Sequence, residues 1–100
     1  MFIAMNRFRI ALGREDVFEQ IWRERDSHLD GVPGFREFHL LRGPTTEECT
    51  LFASHVVWDS REHFAAWVES DAFKKAHGQS RAPAGTYLGH PDFEGFDVVL

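Results

Sequence analysis

Phe2-Ile3-Ala4-Met5-Asn6-Arg7-Phe8-Arg9-Ile10 decides how the rest of the chain is read. Phe2, Ala4, Asn6, Phe8 and Ile10 share one face at period two, while Ile3, Met5, Arg7 and Arg9 take the other. Successive strand side chains point to opposite faces, so this is a β-strand, and Gly13 ends its exit turn. From residue 14 the period changes. Val17, Phe18, Ile21, Trp22, Arg25 and Leu29 recur at three and four, with charges between them. That spacing predicts an amphipathic helix over 14–29, with Glu15 and Asp16 in the first turn, where the helix dipole favours them. Asp30-Gly31 stops the helix and Pro33-Gly34 turns the chain out.

Residues 35–42 read as a second strand, with Phe35, Glu37, His39 and Leu41 on one face and Phe38 and Leu40 on the other. Gly43-Pro44 breaks it, a polar tip follows, and residues 50–58 return as a third strand, which predicts a hairpin. Ser60 is a good N-cap for a helix carrying Phe64, Trp67 and Val68. Ser70-Asp71 offers a second cap before Phe73, Ala76 and His77, so 60–78 is one kinked helix or two short ones. A loop covers 79–86. Residues 87–100 read as a final strand broken by a bend, with Pro91 and Gly95 inside it.

The order β-α-β-β-α-β predicts an α+β, ferredoxin-like fold. Helices would cover one face of an antiparallel sheet, in one domain spanning residues 1–100. The other face is then open. In a chain with 14% aromatic residues it would expose a large apolar patch. A homodimer packing sheet against sheet, or closing a shared barrel, removes that patch.

Eleven basic against sixteen acidic residues give a net charge of −5. That argues against nucleic acid and anionic membrane surfaces as partners. No apolar run is long enough to cross a bilayer, and the first residues lack the features of a secretion signal, so a cytoplasmic protein is expected. Cys49 is the single cysteine and allows no internal disulfide. Six histidines are present, none at a zinc-binding spacing. No phosphate loop, dinucleotide fingerprint or nucleophile elbow occurs.

Two places break the local rules. Asn6 sits mid-strand on the apolar face, although Asn is a poor strand former. It is either an edge or bulge residue bonded to backbone, or an amide aimed into a cavity. Trp67 and His77 lie ten residues apart, close to three turns, so an unbroken helix would bring both near one face. The plain alternative is a core tryptophan and a histidine at a helix end.

Together these residues resemble the antibiotic biosynthesis monooxygenase superfamily, and within it the IsdG-type heme-degrading monooxygenases. The resemblance rests on Phe2–Arg9 with Asn6 inside, on Val32-Pro33-Gly34-Phe35, and most on the stretch from Trp58 to His77. It implies a homodimer of ferredoxin-like subunits forming an α+β barrel, each holding one heme between helices and sheet. Heme would be substrate and cofactor at once, opened by O2 to a bilin-type product with release of iron. Electrons would come from a reductase or a small external reductant. The implied roles are His77 as axial iron ligand, Asn6 reaching oxygen on the opposite face, and Trp67 pressing on the porphyrin. Lys74, Lys75 and Arg81 would meet the propionates. Phe8, Phe64 and Phe73, with Phe52 and Val56, would line the pocket. Trp22 and Trp58 are read as core, His39 and His55 as facing the dimer interface, and Gly78 as the residue that turns the chain away after His77. Two other readings stand beside this one. The first is a cofactor-independent monooxygenase of the same superfamily, acting on an aromatic or polyketide substrate. The second is a non-catalytic heme-binding dimer.

Overall fold

The computed structural model describes residues 1–25, 27–77 and 82–100. The elements run β1 (Phe2–Ala11), α1 (Glu15–Glu24), β2 (Phe35–Thr45), β3 (Cys49–Trp58), α2 (Arg61–Val68), α3 (Asp71–His77) and β4 (Asp92–Asp97). The strands form one antiparallel sheet in the order β2-β3-β1-β4. The expected ferredoxin-like order is the observed one, with the second helical segment split in two. Ser60 caps α2 by accepting from the His63 N–H at 3.2 Å. The Ser70 hydroxyl then donates to the Trp67 carbonyl at 2.6 Å and accepts from the Phe73 N–H at 3.2 Å. One side chain thus closes α2 and opens α3.

The alternation of β1 is as read. Phe2, Ala4, Phe8 and Ile10 are buried under the helices, opposite Trp58, Val56, Phe52 and Thr50 of β3. Arg7 on the open face pairs with Glu94 at 2.7 Å. Ile3, Met5, His39, His55, Leu41 and Phe96 occupy that same face by register.

Four boundaries differ from the reading. First, α1 ends at Glu24 instead of running to 29, because Arg25 takes an extended backbone (ψ 131°). The apolar face has run out there, and Arg25 Nε instead donates to the Ala76 carbonyl at 3.1 Å. Leu29, off the helix, packs with Trp58 and Trp67. Second, β2 does not break at Gly43-Pro44 but continues to Thr45 with a register shift after Arg42. It is an edge strand, so the missing proline N–H costs no ladder bond. Third, a second register shift between Phe35 and Glu37 moves Phe35 to the helix side, edge-on to Trp58 at 5.9 Å. Fourth, the last strand is confined to 92–97. Tyr87 makes a separate bridge to Ile10, and Gly89 (φ +95°) and Pro91 interrupt the chain between them.

The core is divided. One cluster joins Phe2, Ala4, Leu29, Trp58 and Trp67 under α2 and α3. The other joins Phe8, Ile10, Phe18 and Phe52 under α1. Asn6, opposite Ser54, lies on the sheet between them. Among the described residues no helix is long and apolar enough to cross a membrane.

Candidate functional site

The gap between the two core clusters is a cavity of about 910 Å³, continuous in its lining with an inner lobe of about 290 Å³. Asn6 is part of its floor. The side walls come from α1 through Trp22 and Arg25, from α2 through Phe64, and from α3 through Phe73, Ala76 and His77. The outer mouth is completed by Tyr87, Pro91 and Phe93. Phe64 and Phe93 stack nearly parallel, 5.4 Å apart at 6°, and make one flat apolar wall.

Asn6 belongs to an inner strand, with β3 on one side and β4 on the other. No register shift occurs near it. The edge-or-bulge reading therefore does not apply. Its amide makes no hydrogen bond among the described residues, in a structure whose other side-chain amides and hydroxyls mostly do. Asn6 itself is half-buried, whereas the indole N–H of Trp58, which borders the inner lobe, is fully buried without a partner. An unmade buried hydrogen bond costs roughly 1–3 kcal/mol, so the Trp58 indole suits a polar guest in the lobe, and the half-buried Asn6 amide is free to meet one.

His77 ends α3. Its Nδ1 lies 2.9 Å from the Phe73 carbonyl oxygen. A carbonyl can only accept, so Nδ1 carries the proton and Nε2 keeps its lone pair. Burial lowers the imidazole pKa, the Phe73 bond partly opposes this, and the nearby Arg25 cation lowers it further. The neutral form is the one that can bind a metal. Among the described residues no cluster of three His, Cys, Asp or Glu forms; His77 is an exposed imidazole on the lining of a mostly apolar cavity.

Trp67 is buried, with its ring perpendicular to Phe73 at 5.7 Å and tilted against Trp58 at 6.2 Å. It borders the inner lobe from the core side. The helix between Trp67 and His77 is broken at Ser70, yet both residues reach the same lobe. Phe8, Phe64 and Phe73 line the cavity, as does Val56. Phe52 instead sits in the α1 core cluster. Lys74 and Lys75 are exposed and stand outside the cavity lining. Arg81 and Gly78 lie outside the described residues. Trp58 is core as read, with no exposure. Trp22 is only half-buried and forms cavity wall, stacked on Phe38 at 5.7 Å.

The sequence reading missed Arg25, Tyr87 and Phe93. Arg25 carried a signal, being a charge at an apolar position of the helix period. Its guanidinium lies over the Trp22 ring at 4.8 Å. Tyr87 is the single tyrosine of the chain, and Phe93 faces Asn6 across the β1–β4 pair.

Comparison with known proteins adds four likenesses. Residues 1–79 match the antibiotic biosynthesis monooxygenase family. A heme oxygenase (mycobilin-producing) of Mycobacterium tuberculosis is 30% identical over 98 residues, covering 98% of this chain and 89% of that protein. The structure of the heme-degrader MhuD from Mycobacterium tuberculosis, solved with two hemes in its active site, superposes with a TM-score of 0.77 at 28% identity, over 100% of this chain and 97% of that one. SnoaB, a cofactor-independent oxygenase from Streptomyces nogalater, shares the fold with a TM-score of 0.70 at 18% identity, over 99% of this chain and 93% of that one.

Proposed function

This chain belongs to the antibiotic biosynthesis monooxygenase family, and we propose that it is a heme-degrading monooxygenase whose substrate lies in the cavity between the two core clusters. The observation that carries the reading is the His77 imidazole, held by Phe73 with Nε2 free, in the wall of an apolar cavity floored by the unpartnered Asn6. The residues fit a porphyrin. The walls are broad and aromatic, and a neutral imidazole suits iron. The heme degraders among the relatives are 28–30% identical to this chain over nearly its whole length, whereas at 18% identity the likeness to the cofactor-independent oxygenase concerns the fold alone.

When bound, heme supplies the carbon skeleton to be oxidised and the iron at which O2 reacts, with electrons from an external reductant. His77 would bind that iron through Nε2. Phe73 would keep the imidazole in the required tautomer and fix its plane. Asn6 would offer its amide N–H to oxygen, which positions the reactant. Trp67, braced by Trp58 and Phe73, would press on the porphyrin from a wall that cannot yield. The stacked Phe64 and Phe93 would give the porphyrin a flat apolar face on one side. The open sheet face, with Leu41 and Phe96 exposed on it, suits a second copy, giving the expected homodimer. The same reading makes the protein cytoplasmic, served there by a reductase or a small reductant.

The test is a hemin titration of the purified protein followed by ascorbate under air. Saturation near one heme per chain, then Soret loss with iron release and a bilin-like chromophore, is expected. Saturation without decay leaves a heme-binding module. Absence of saturable binding overturns the heme reading and turns attention to aromatic substrates.

A further inference from the structure

Two polar residues interrupt the apolar floor of the cavity, and they fall opposite each other. Asn6 breaks the apolar alternation of β1 between Ala4 and Phe8, and Ser54 breaks that of β3 between Phe52 and Val56. The two are paired in register, so both side chains stand on the same face of the sheet. Leu40 lies beside Ser54 on β2 and Phe93 beside Asn6 on β4, so the row across the sheet reads Leu40, Ser54, Asn6, Phe93. Ser54 belongs to an inner strand and is only 4% exposed. It lines the inner lobe together with Asn6. Among the described residues its hydroxyl makes no hydrogen bond, not even to the amide beside it. A buried hydroxyl in that state is unfavourable until a guest supplies the partner.

The pair carries no charge, and the row on either side of it is apolar. The one lysine or arginine lining the lobe among the described residues, Arg25, stands on the α1 wall and not on this floor. A buried carboxylate calls for a charged partner, so the group matched to the floor is a neutral oxygen at the edge of a flat apolar body. A porphyrin has no neutral oxygen on its ring edge before it is oxidised. The opened product has carbonyl oxygens at the cut.

We propose that Ser54 and Asn6 form a neutral oxygen-recognition subsite on the cavity floor, which holds the carbonyl oxygen that ring opening places on the cut edge of the product. This subsite rests on the heme reading, because the oxygen it takes is one that porphyrin oxidation makes. A carbonyl oxygen has two lone pairs, one for the Ser54 O–H and one for the Asn6 amide N–H. Both donors sit on paired inner strands, so the subsite is preorganised. A site built to hydrogen-bond one group discriminates against the analogue that lacks it, so these residues tell opened product from intact substrate.

The experiment titrates wild type, Ser54→Ala and Ser54→Cys with hemin and with biliverdin, a bilin that bears the same carboxylates plus ring carbonyls. Ser54→Ala removes an unpartnered oxygen and no packing carbon, so the fold is preserved. Loss of a neutral hydrogen bond predicts biliverdin binding weaker by about three- to tenfold. Hemin offers nothing for Ser54 to donate to, so it should bind wild type and Ser54→Ala within about twofold of each other. A thiol is a weak donor, so Ser54→Cys should show the same ligand dependence. A loss with hemin as large as that with biliverdin, or no loss with biliverdin, overturns the subsite while leaving heme as the substrate. Wild type that saturates with hemin but not with biliverdin overturns it as well. Wild type that does not saturate with hemin overturns the heme reading, and the subsite with it.

Discussion

Phe73 fixes His77 twice: its carbonyl accepts the imidazole Nδ1–H at 2.9 Å, and its ring lies 3.9 Å from the imidazole, centroid to centroid, at 34°. The backbone bond sets the tautomer and the ring contact sets the plane. Trp67 in turn stands perpendicular to Phe73. The core thus holds His77 in place through Phe73, two contacts removed from Trp58.

The pH dependence of heme binding follows from this. His77 titrates below its usual 6.5, mainly through burial, and its protonated form has no lone pair for iron. Ligation should therefore survive below pH 6.5 and be lost only as the pH falls through the lowered value. Arg25→Gln removes a neighbouring cation and should move that edge upward. The Soret band followed against pH reads both, and a wild-type edge above 6.5 contradicts the assignment. His77→Ala should weaken hemin binding by about 10–100-fold or more, as loss of a direct ligand exceeds loss of its supporting partner.

Asn6→Val exchanges an unpartnered amide for a residue that suits a strand. It should stabilise the ligand-free protein by about 1 kcal/mol, or roughly 4–8 °C in Tm. The same change should slow turnover by at least about tenfold, because an oriented donor is lost. Calorimetry and single-turnover kinetics check the two halves. A variant that is less stable, or as active as wild type, counts against a ligand-facing Asn6.

Trp67→Ala should cost about 3–5 kcal/mol in urea unfolding, the range for removing a large buried aromatic. Trp67→Phe should fold and bind hemin, but with a flatter porphyrin in its resonance Raman spectrum. An unchanged distortion in that variant would remove Trp67 from the mechanism and leave it as core.

The paired substitution Leu41→Glu and Phe96→Glu places charges on the open sheet face without touching the cavity. Light scattering should then report a shift from dimer to monomer, with the far-UV circular dichroism retained. Wild type that is monomeric at tens of micromolar would dispose of the dimer.

The strands were legible because β1 alternates at period two and its register with β3 keeps every side chain on the expected face. Ser60 and Ser70 were legible as caps because a hydroxyl before a helix has one main local use. The end of α1 was not, since Arg25 fits the helical period by spacing and departs from it through a bond to Ala76, 51 residues away in sequence. The alternation of β2 alone places Phe35 on the open face, and the register shift puts it on the other, because a bulge is a property of two strands, not one. At the site, Asn6, Trp67 and His77 each stood out from their neighbours. Tyr87 did not, because only the bridge to Ile10 brings it to the cavity.

The divided core has a consequence for cooperativity. Off the sheet, the α1 half and the α2–α3 half are bridged by the Trp22–Phe38 stack and the Arg25–Ala76 bond and share little other packing. Amide hydrogen exchange in the ligand-free protein should then report two separate opening units. A flat apolar guest touching Trp22 on one side and Phe73 on the other completes the middle of the core. Occupancy should merge the two units into one, so that the substrate becomes a temporary part of the fold and its degradation hands back a looser protein ready for exchange.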